Sequence, residues 1–310
     1  LNDTNVIVCT LCCSGNSCMK ELKFDLLIID EACQCSELTA LIPFCYDIKR
    51  CILIGDPKQF PPTIKSQKIE KCGYGKSLFE RIEDGSSSNE IYLLNTQYHM
   101  HPNINVLTSK YIYDGKIINA PIVKSEKWKK EWNKDNDSKF GPVRFYQVNG
   151  TISNNNGSSF NNEEEATQVI NFISELLLTY PNICFHKKIS IISPYSAQVL
   201  LIKKKLRELY KKTTLLKDED ILNHINVSTV DGFEGKENDI VILSMVRCDK
   251  KVGFLKDKRR LNVSISRARY SLIIFGDVTT LILDNNWKNI ITEIINMGCL
   301  KQVNILFFNF

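Results

Sequence analysis

FDLLIIDEACQ, residues 24–34, carries four consecutive apolar residues, Leu26 to Ile29, straight into Asp30 and Glu31. An unbroken apolar run of this length reads as a strand covered on both faces, and such strands belong to parallel sheets flanked by helices. Similar runs recur on both sides of it: NVIVC (5–9), RCILIGD (50–56) and EIYLLN (90–95), then VRFYQV (143–148), KISIIS (188–193), INVSTV (225–230), DIVILSMV (239–246) and YSLIIFGD (270–277). Helices are expected over 163–179, where Glu163, Glu164 and Glu165 open an apolar periodicity, and over 195–212; each lies between strands. This alternation predicts an α/β fold with parallel sheets. Strand sets on either side of about residue 96 suggest two α/β domains. The stretch 124–162 is rich in Lys, Asn and Ser and reads as a polar, partly disordered insertion around one short strand.

The chain of 310 residues is long enough for two domains. Its 43% hydrophobic and 24% charged content is ordinary for a globular protein. No apolar run approaches the ~20 residues of a membrane span, and no signal pattern opens the chain. A start at Leu1 suggests a piece of something longer. A net charge of +5 permits a polyanionic partner without requiring one. Of the twelve cysteines, Cys9 and Cys12 have CxxC spacing, but no second pair follows at zinc-like distance. Reduced thiols in a nuclear or cytosolic setting are the simpler expectation.

The chemistry gathers at strand ends. In open parallel sheets ligands bind at the carboxyl ends of strands. Asp30 and Glu31 stand at such an end, where one acid can hold Mg²⁺ and the other can orient or deprotonate water. An acidic pair that merely caps a strand has the same pattern. The next strand ends in GDPKQFPPT, where Gln59 projects from a turn stiffened by Pro57, Pro61 and Pro62. A glutamine so placed can bond a γ-phosphate or the attacking water; a plain surface turn is the alternative. Gly75-Lys76-Ser77 imitates a phosphate loop, but Glu70 stands where that loop needs its first glycine, and the residues before it make a poor strand. NTQYHMHP (95–102), SPYSAQ (193–198), VSTVDGFEGKENDIVILS (227–244) and RRLNVSISRAR (259–269) follow, the last placing Arg267 and Arg269 where a helix gives way to a strand. Two such arginines can be a solvated face or can supply an arginine finger.

The order DEACQ, GDPKQFPPT, QYHMHP, SPYSAQ, TVDGFEGKENDIVILS, RRLNVSISRAR resembles superfamily 1 helicases of the DExxQ type, most of all the senataxin branch, a relative of the nonsense-mediated-decay helicase. It runs from about Val6 to Cys299. The resemblance implies two RecA-like domains of the P-loop NTPase class, the first incomplete at its N-terminus: residues 1–95 as its rear part, 96–300 as the second domain with the insertion at 124–162, and 301–310 as a tail. The true phosphate loop is then expected upstream of Leu1, and the Gly-Lys-Ser is a decoy.

The same resemblance implies ATP and Mg²⁺ as cofactors. Asp30 would bind Mg²⁺, Glu31 would act on the hydrolytic water, Gln59 would sense the γ-phosphate and Arg267 would be the finger. Gln34, Tyr98, His99, Gly235, Glu237 and Arg269 would surround the nucleotide, with Tyr98 at the adenine and Glu237 at the ribose. Thr10, Pro61, Pro62, Ser193, Pro194, Tyr195 and Thr229 would line the nucleic-acid path, which tracks phosphates and stacks bases without reading sequence. Implied partners are single-stranded RNA or DNA, RNA–DNA hybrids and transcription or RNA-processing proteins, with no membrane, in the nucleus or the cytoplasm. Two positions depart from the family pattern. His99 replaces an arginine that contacts the γ-phosphate, and Glu234 replaces a glutamine. An ATP-driven helicase or translocase is expected; a degenerate helicase serving as a binding or assembly module, and a DNA helicase of replication or repair, are the alternatives.

Overall fold

The computed structural model describes residues 4–85, 91–134, 138–154, 159–185, 187–212 and 224–302. They divide into two compact units, Leu1–Leu94 and Asn95–Phe310.

In the first unit, β1 (Leu26–Ile29) pairs in parallel with β2 (Arg50–Leu53). Helix α1 (Glu37–Leu41) is capped by Ser36, whose side chain accepts from the Thr39 amide. Helix α2 (Leu78–Gly85) follows the Gly-Lys-Ser. Ser77 and Glu80 cap it reciprocally: the Glu80 amide donates to Ser77 Oγ at 3.1 Å, and the Ser77 amide donates to Glu80 Oε2 at 3.2 Å. Lys76 bonds Asp84 at 2.5 Å. No strand feeds this turn, so the decoy is a helix cap. The core of the unit is small, built on Ile29, Ala32, Ala40 and Leu78. The expected strands at 5–9 and 90–95 are not formed over their described residues, and Val8 and Leu94 are 92% and 87% exposed. An apolar run becomes a strand only where a neighbour accepts its hydrogen bonds, and among the described residues β1 and β2 pair only with each other.

The second unit opens with β3 (Thr96–Gln97), helix α3 (Pro102–Ile112) and β4 (Ile118–Asn119), which pairs with β3. Its main sheet contains β5 (Val143–Gln147), β8 (Ile189–Ser193), β9 (Asn226–Thr229), β10 (Asn238–Ser244), β11 (Ala268–Gly276) and β12 (Leu300–Gln302). All six are parallel, in the order β12-β5-β11-β10-β8-β9. A small antiparallel pair, β6 (Ile152–Ser153) and β7 (Asn161–Asn162), precedes helix α4 (Glu163–Thr179). The start of α4 follows from its sequence: Asn162 accepts from the Glu165 amide, and three glutamates lie in the first turn, where the helix dipole favours them. Helices α5 (Ser196–Lys212), α6 (Lys258–Ser266) and α7 (Asn285–Asn296) complete the layers. The core packs Val169, Ile173 and Leu176 of α4 and Val199 and Ile202 of α5 against the sheet.

The described residues of the polar stretch 124–162 are tied into the core of this unit. Trp128, Trp132 and Phe140 are buried in the main core, and β5 is an inner strand. Trp132 Nε1 donates to Ser271 Oγ at 3.2 Å, and Asn133 Nδ2 donates to the Tyr270 carbonyl at 3.1 Å. A few large rings bury enough area to anchor an otherwise polar segment. Of the tail, residues 303–310 lie outside the described residues.

Candidate nucleotide and nucleic-acid sites

In the first unit the loop after β1 turns abruptly. Glu31 takes φ +52°, a conformation that costs a non-glycine residue energy and that concentrates at functional sites. Asp30 Oδ1 accepts from the Glu31 amide at 3.0 Å, and Glu31 Oε2 accepts from Gln34 Nε2 at 2.9 Å. The loop lies close to the end of β2: the Ala32 amide donates to the Ile54 carbonyl at 2.7 Å. Gly55 makes that approach possible, since a Cβ there would stand 2.8 Å from Cys33 Sγ and 2.9 Å from the Cys33 amide nitrogen. One residue on, Asp56 accepts from the Lys58 amide and, through Oδ2, from Gln59 Nε2 at 2.9 Å. The acids, Gln34 and Gln59 therefore stand on two neighbouring strand-end loops. Asp30 and Glu31 are exposed carboxylates, and among the described residues no group of three or more His, Cys, Asp or Glu could cage a metal. Two hard oxygen donors at an open strand end suit Mg²⁺, which keeps several waters and takes few protein ligands.

In the second unit Gln97 builds the turn that carries Tyr98 and His99. Its Oε1 accepts from the His99 and Met100 amides at 2.8 and 2.7 Å, and its Nε2 donates to the Met100 carbonyl and to Asn119. His99 Nδ1 meets Glu237 Oε2 at 2.8 Å. Arg269 reaches Glu237 and Asp239, each at 3.9 Å. Burial lowers the His99 pKa most; Glu237 pulls it up, while Arg269 and Arg267 push it down, and the net shift is downward. The ring is thus neutral at pH 7. Tyr98, beside it, is 64% exposed. Arg267 ends α6, with Nε donating to the Val263 carbonyl at 3.3 Å. Gly235 takes φ +68°, which only glycine adopts without strain, and half-buried Glu234 precedes it. Glu237, Arg267 and Arg269 all stand at the amino edge of β10 and β11, opposite the carboxyl edge where ligands of open parallel sheets are usually found.

The residues expected along the nucleic-acid path are not uniformly reachable. Thr10 is exposed and caps a short helix by accepting from the Cys13 amide; Pro61 and Pro194 are half-buried. Thr229 Oγ1 accepts from the Gly232 amide at 3.2 Å. Pro62 is buried, Ser193 is 0% exposed and Tyr195 is 3% exposed. The Ser193, Tyr195 and Pro62 side chains therefore offer little surface of their own in this structure. Ser193 Oγ accepts from the Tyr195 amide, and the Tyr195 ring packs on Phe160 and Phe254. Sequence reading missed Gln97 and Gly55 as the residues that shape these sites. Gln97 lies inside a quoted motif, but its two-faced bonding of a turn has no signal of its own.

A family model described as "AAA domain" matches residues 74–279, and a second with the same description matches residues 1–67. The chain is 36% identical to "Helicase sen1" of Schizosaccharomyces pombe, over 98% of this chain and 18% of that protein. It is 35% identical to "Helicase SEN1" of Saccharomyces cerevisiae, over 96% of this chain and 13% of that one. It is 31% identical to the human "Probable helicase senataxin", over 96% and 11%. The chain therefore spans less than a fifth of the length of these relatives.

Proposed function

We infer the function of this chain from the family to which it belongs, the AAA-domain family and, within it, the senataxin-like superfamily 1 helicases. The natural protein is an ATP-dependent helicase or translocase that moves along single-stranded RNA or DNA, RNA–DNA hybrids included, in the nucleus or the cytoplasm. The observation that carries this reading is the gathering, at one edge of the second unit's sheet, of an exposed ring, a carboxylate and two guanidinium groups: Tyr98, Glu237, Arg267 and Arg269. A ring face suits a base, a carboxylate suits ribose hydroxyls, and guanidinium groups suit phosphates. Asp30 and Glu31 would hold Mg²⁺ and align water, with Gln59 beside them. Mg²⁺, when bound, offsets charge on the phosphate oxygens. Arg267 would answer the charge that spreads over the transferred phosphoryl group. Gly75-Lys76-Ser77 is engaged as a helix cap, so these 310 residues alone are expected to bind ATP weakly.

A second reading, a helicase-derived binding or assembly module, is favoured by one observation: Glu237 is already held by His99 at 2.8 Å. Steady-state ATP hydrolysis by the natural protein separates the two. Turnover stimulated by single-stranded RNA or DNA is expected. Polymer binding without any turnover would leave the module reading standing and sink the motor.

A further inference from the structure

Beyond the carboxyl ends of β8 and β9, side chains from four segments form one stack. The Arg247 guanidinium lies 4.6 Å from the Phe160 ring centre. Phe160 meets Tyr195 edge-on at 5.6 Å, Tyr195 meets Phe254 at 4.7 Å, and the Arg260 guanidinium lies 5.9 Å from Phe254. The stack runs from inside to outside: Arg247 and Tyr195 are 6% and 3% exposed, Phe254 41%. Among the described residues of the second unit, Tyr98 and Phe254 are the exposed aromatic residues.

Phe254 is held rigidly. Gly253 before it takes φ +61°, which lets the chain double back over the Tyr195 hydroxyl. Leu255 after it is buried, and its carbonyl accepts from Trp287 Nε1 at 2.9 Å, tying the turn to α7. Arg260 is fixed by Asp231, just past β9, and by Asp257. The surrounding segment is strongly basic: between residues 250 and 260, KKVGFLKDKRR, Asp257 is the one acid among Lys250, Lys251, Lys256, Lys258, Arg259 and Arg260. An exposed ring backed by a second ring, among cations, is the arrangement that holds single strands by stacking a base and neutralising phosphates.

We propose that the outer face of Phe254 stacks a base of single-stranded nucleic acid, with Tyr195 as its backing ring and the cations of 250–260 on the flanking phosphates. This rests on the nucleic-acid reading above and places the stacking on a residue outside the quoted motifs. The test measures fluorescence anisotropy of the chain with a labelled oligodeoxythymidine and with the same backbone lacking its bases. Phe254→Leu keeps apolar cover over Tyr195, and Phe254→Trp keeps a ring. The leucine variant should bind the oligodeoxythymidine about 5- to 150-fold more weakly, the span of about 1–3 kcal/mol. The tryptophan variant should retain binding, and all three chains should bind the abasic strand alike. Unchanged oligodeoxythymidine affinity in Phe254→Leu, or equal losses on both strands, overturns the stacking role. Absence of any binding by the unmutated chain overturns instead the nucleic-acid reading on which it rests.

Discussion

His99 stands where the resembled helicases carry an arginine, and its surroundings define what the exchange does. A permanently charged planar fork answers the charge of phosphoryl transfer better than a ring that is neutral at pH 7. Burial and the two arginines keep His99 neutral, and its Nδ1 contact occupies Glu237. His99→Arg should therefore raise kcat of the natural protein. Because the net shift of the histidine is downward from 6.5, its protonated form grows only in acid. Whatever charge His99 lends to turnover is present at low pH and lost as pH rises through that depressed pKa. Steady-state rates from about pH 5 to pH 8 for both chains, a window that brackets the imidazole titration, check this. The arginine variant should show a flatter profile; identical rates and profiles would mean that His99 serves packing at the turn and does not face phosphate. The position was legible because QYHMHP is quoted whole in the sequence. Its tie to Glu237 was not, since those two residues lie far apart in the chain and meet only through the sheet.

At the scale of an element, the end of β10 stores strain that α4 offsets. Val246, a β-branched residue, takes φ +73°, which costs on the order of 1–3 kcal/mol unless its surroundings enforce it. Glu165 in the first turn of α4 does so: its carboxylate accepts from the Ser244 hydroxyl at 2.5 Å and from the Val246 amide at 2.9 Å. Burial outweighs these bonds and pushes the Glu165 pKa up to about 8. From about pH 4.5 to 8 the folded chain holds a proton that the unfolded chain has released, so stability falls as pH rises across that window. Glu165→Gln mimics the protonated form and should flatten the fall, seen as a urea midpoint that changes less with pH. Glu165→Ala strands the Val246 amide and should cost about 2–4 kcal/mol, a cavity and an unpaired buried donor together. Should the glutamine variant lose as much as the alanine variant, Glu165 acts as a charge and not as a neutral acceptor. The start of α4 was plain in the sequence, because three glutamates open its apolar periodicity, whereas its Asn162 cap shows only in the structure. The strained residue was invisible, because every local preference of valine argues for extended backbone. The apolar runs at 5–9 and 91–94 failed for the complementary reason: the pattern was that of a strand, but among the described residues neither forms one.

For the whole molecule, the two units differ in how much apolar surface each hides. In the second, α4 and α5 close over six parallel strands, and Ile189, Ile191, Ile240, Ile242 and Ile273 are all within 1% of full burial. In the first, the two strands leave Leu26, Ile28 and Ile52 between 47% and 55% exposed, and strands of a parallel sheet are stable only when both faces are covered. A two-stranded sheet over a small core is marginal by itself. The first unit should therefore open at lower denaturant than the second, because regions with few buried apolar groups unfold sub-globally before the main core. Two buried thiols report the two units separately: Cys33, 1% exposed in the first, and Cys299, 5% exposed in the second. Burial pushes the Cys33 pKa up to about 12, so it stays unreactive until the unit opens. A brief pulse of thiol reagent at rising urea, read by peptide mass, should label Cys33 in urea that leaves Cys299 protected. Simultaneous labelling of both would show one cooperative transition, and with it that the sparse core of the first unit is supported by contacts beyond its own residues.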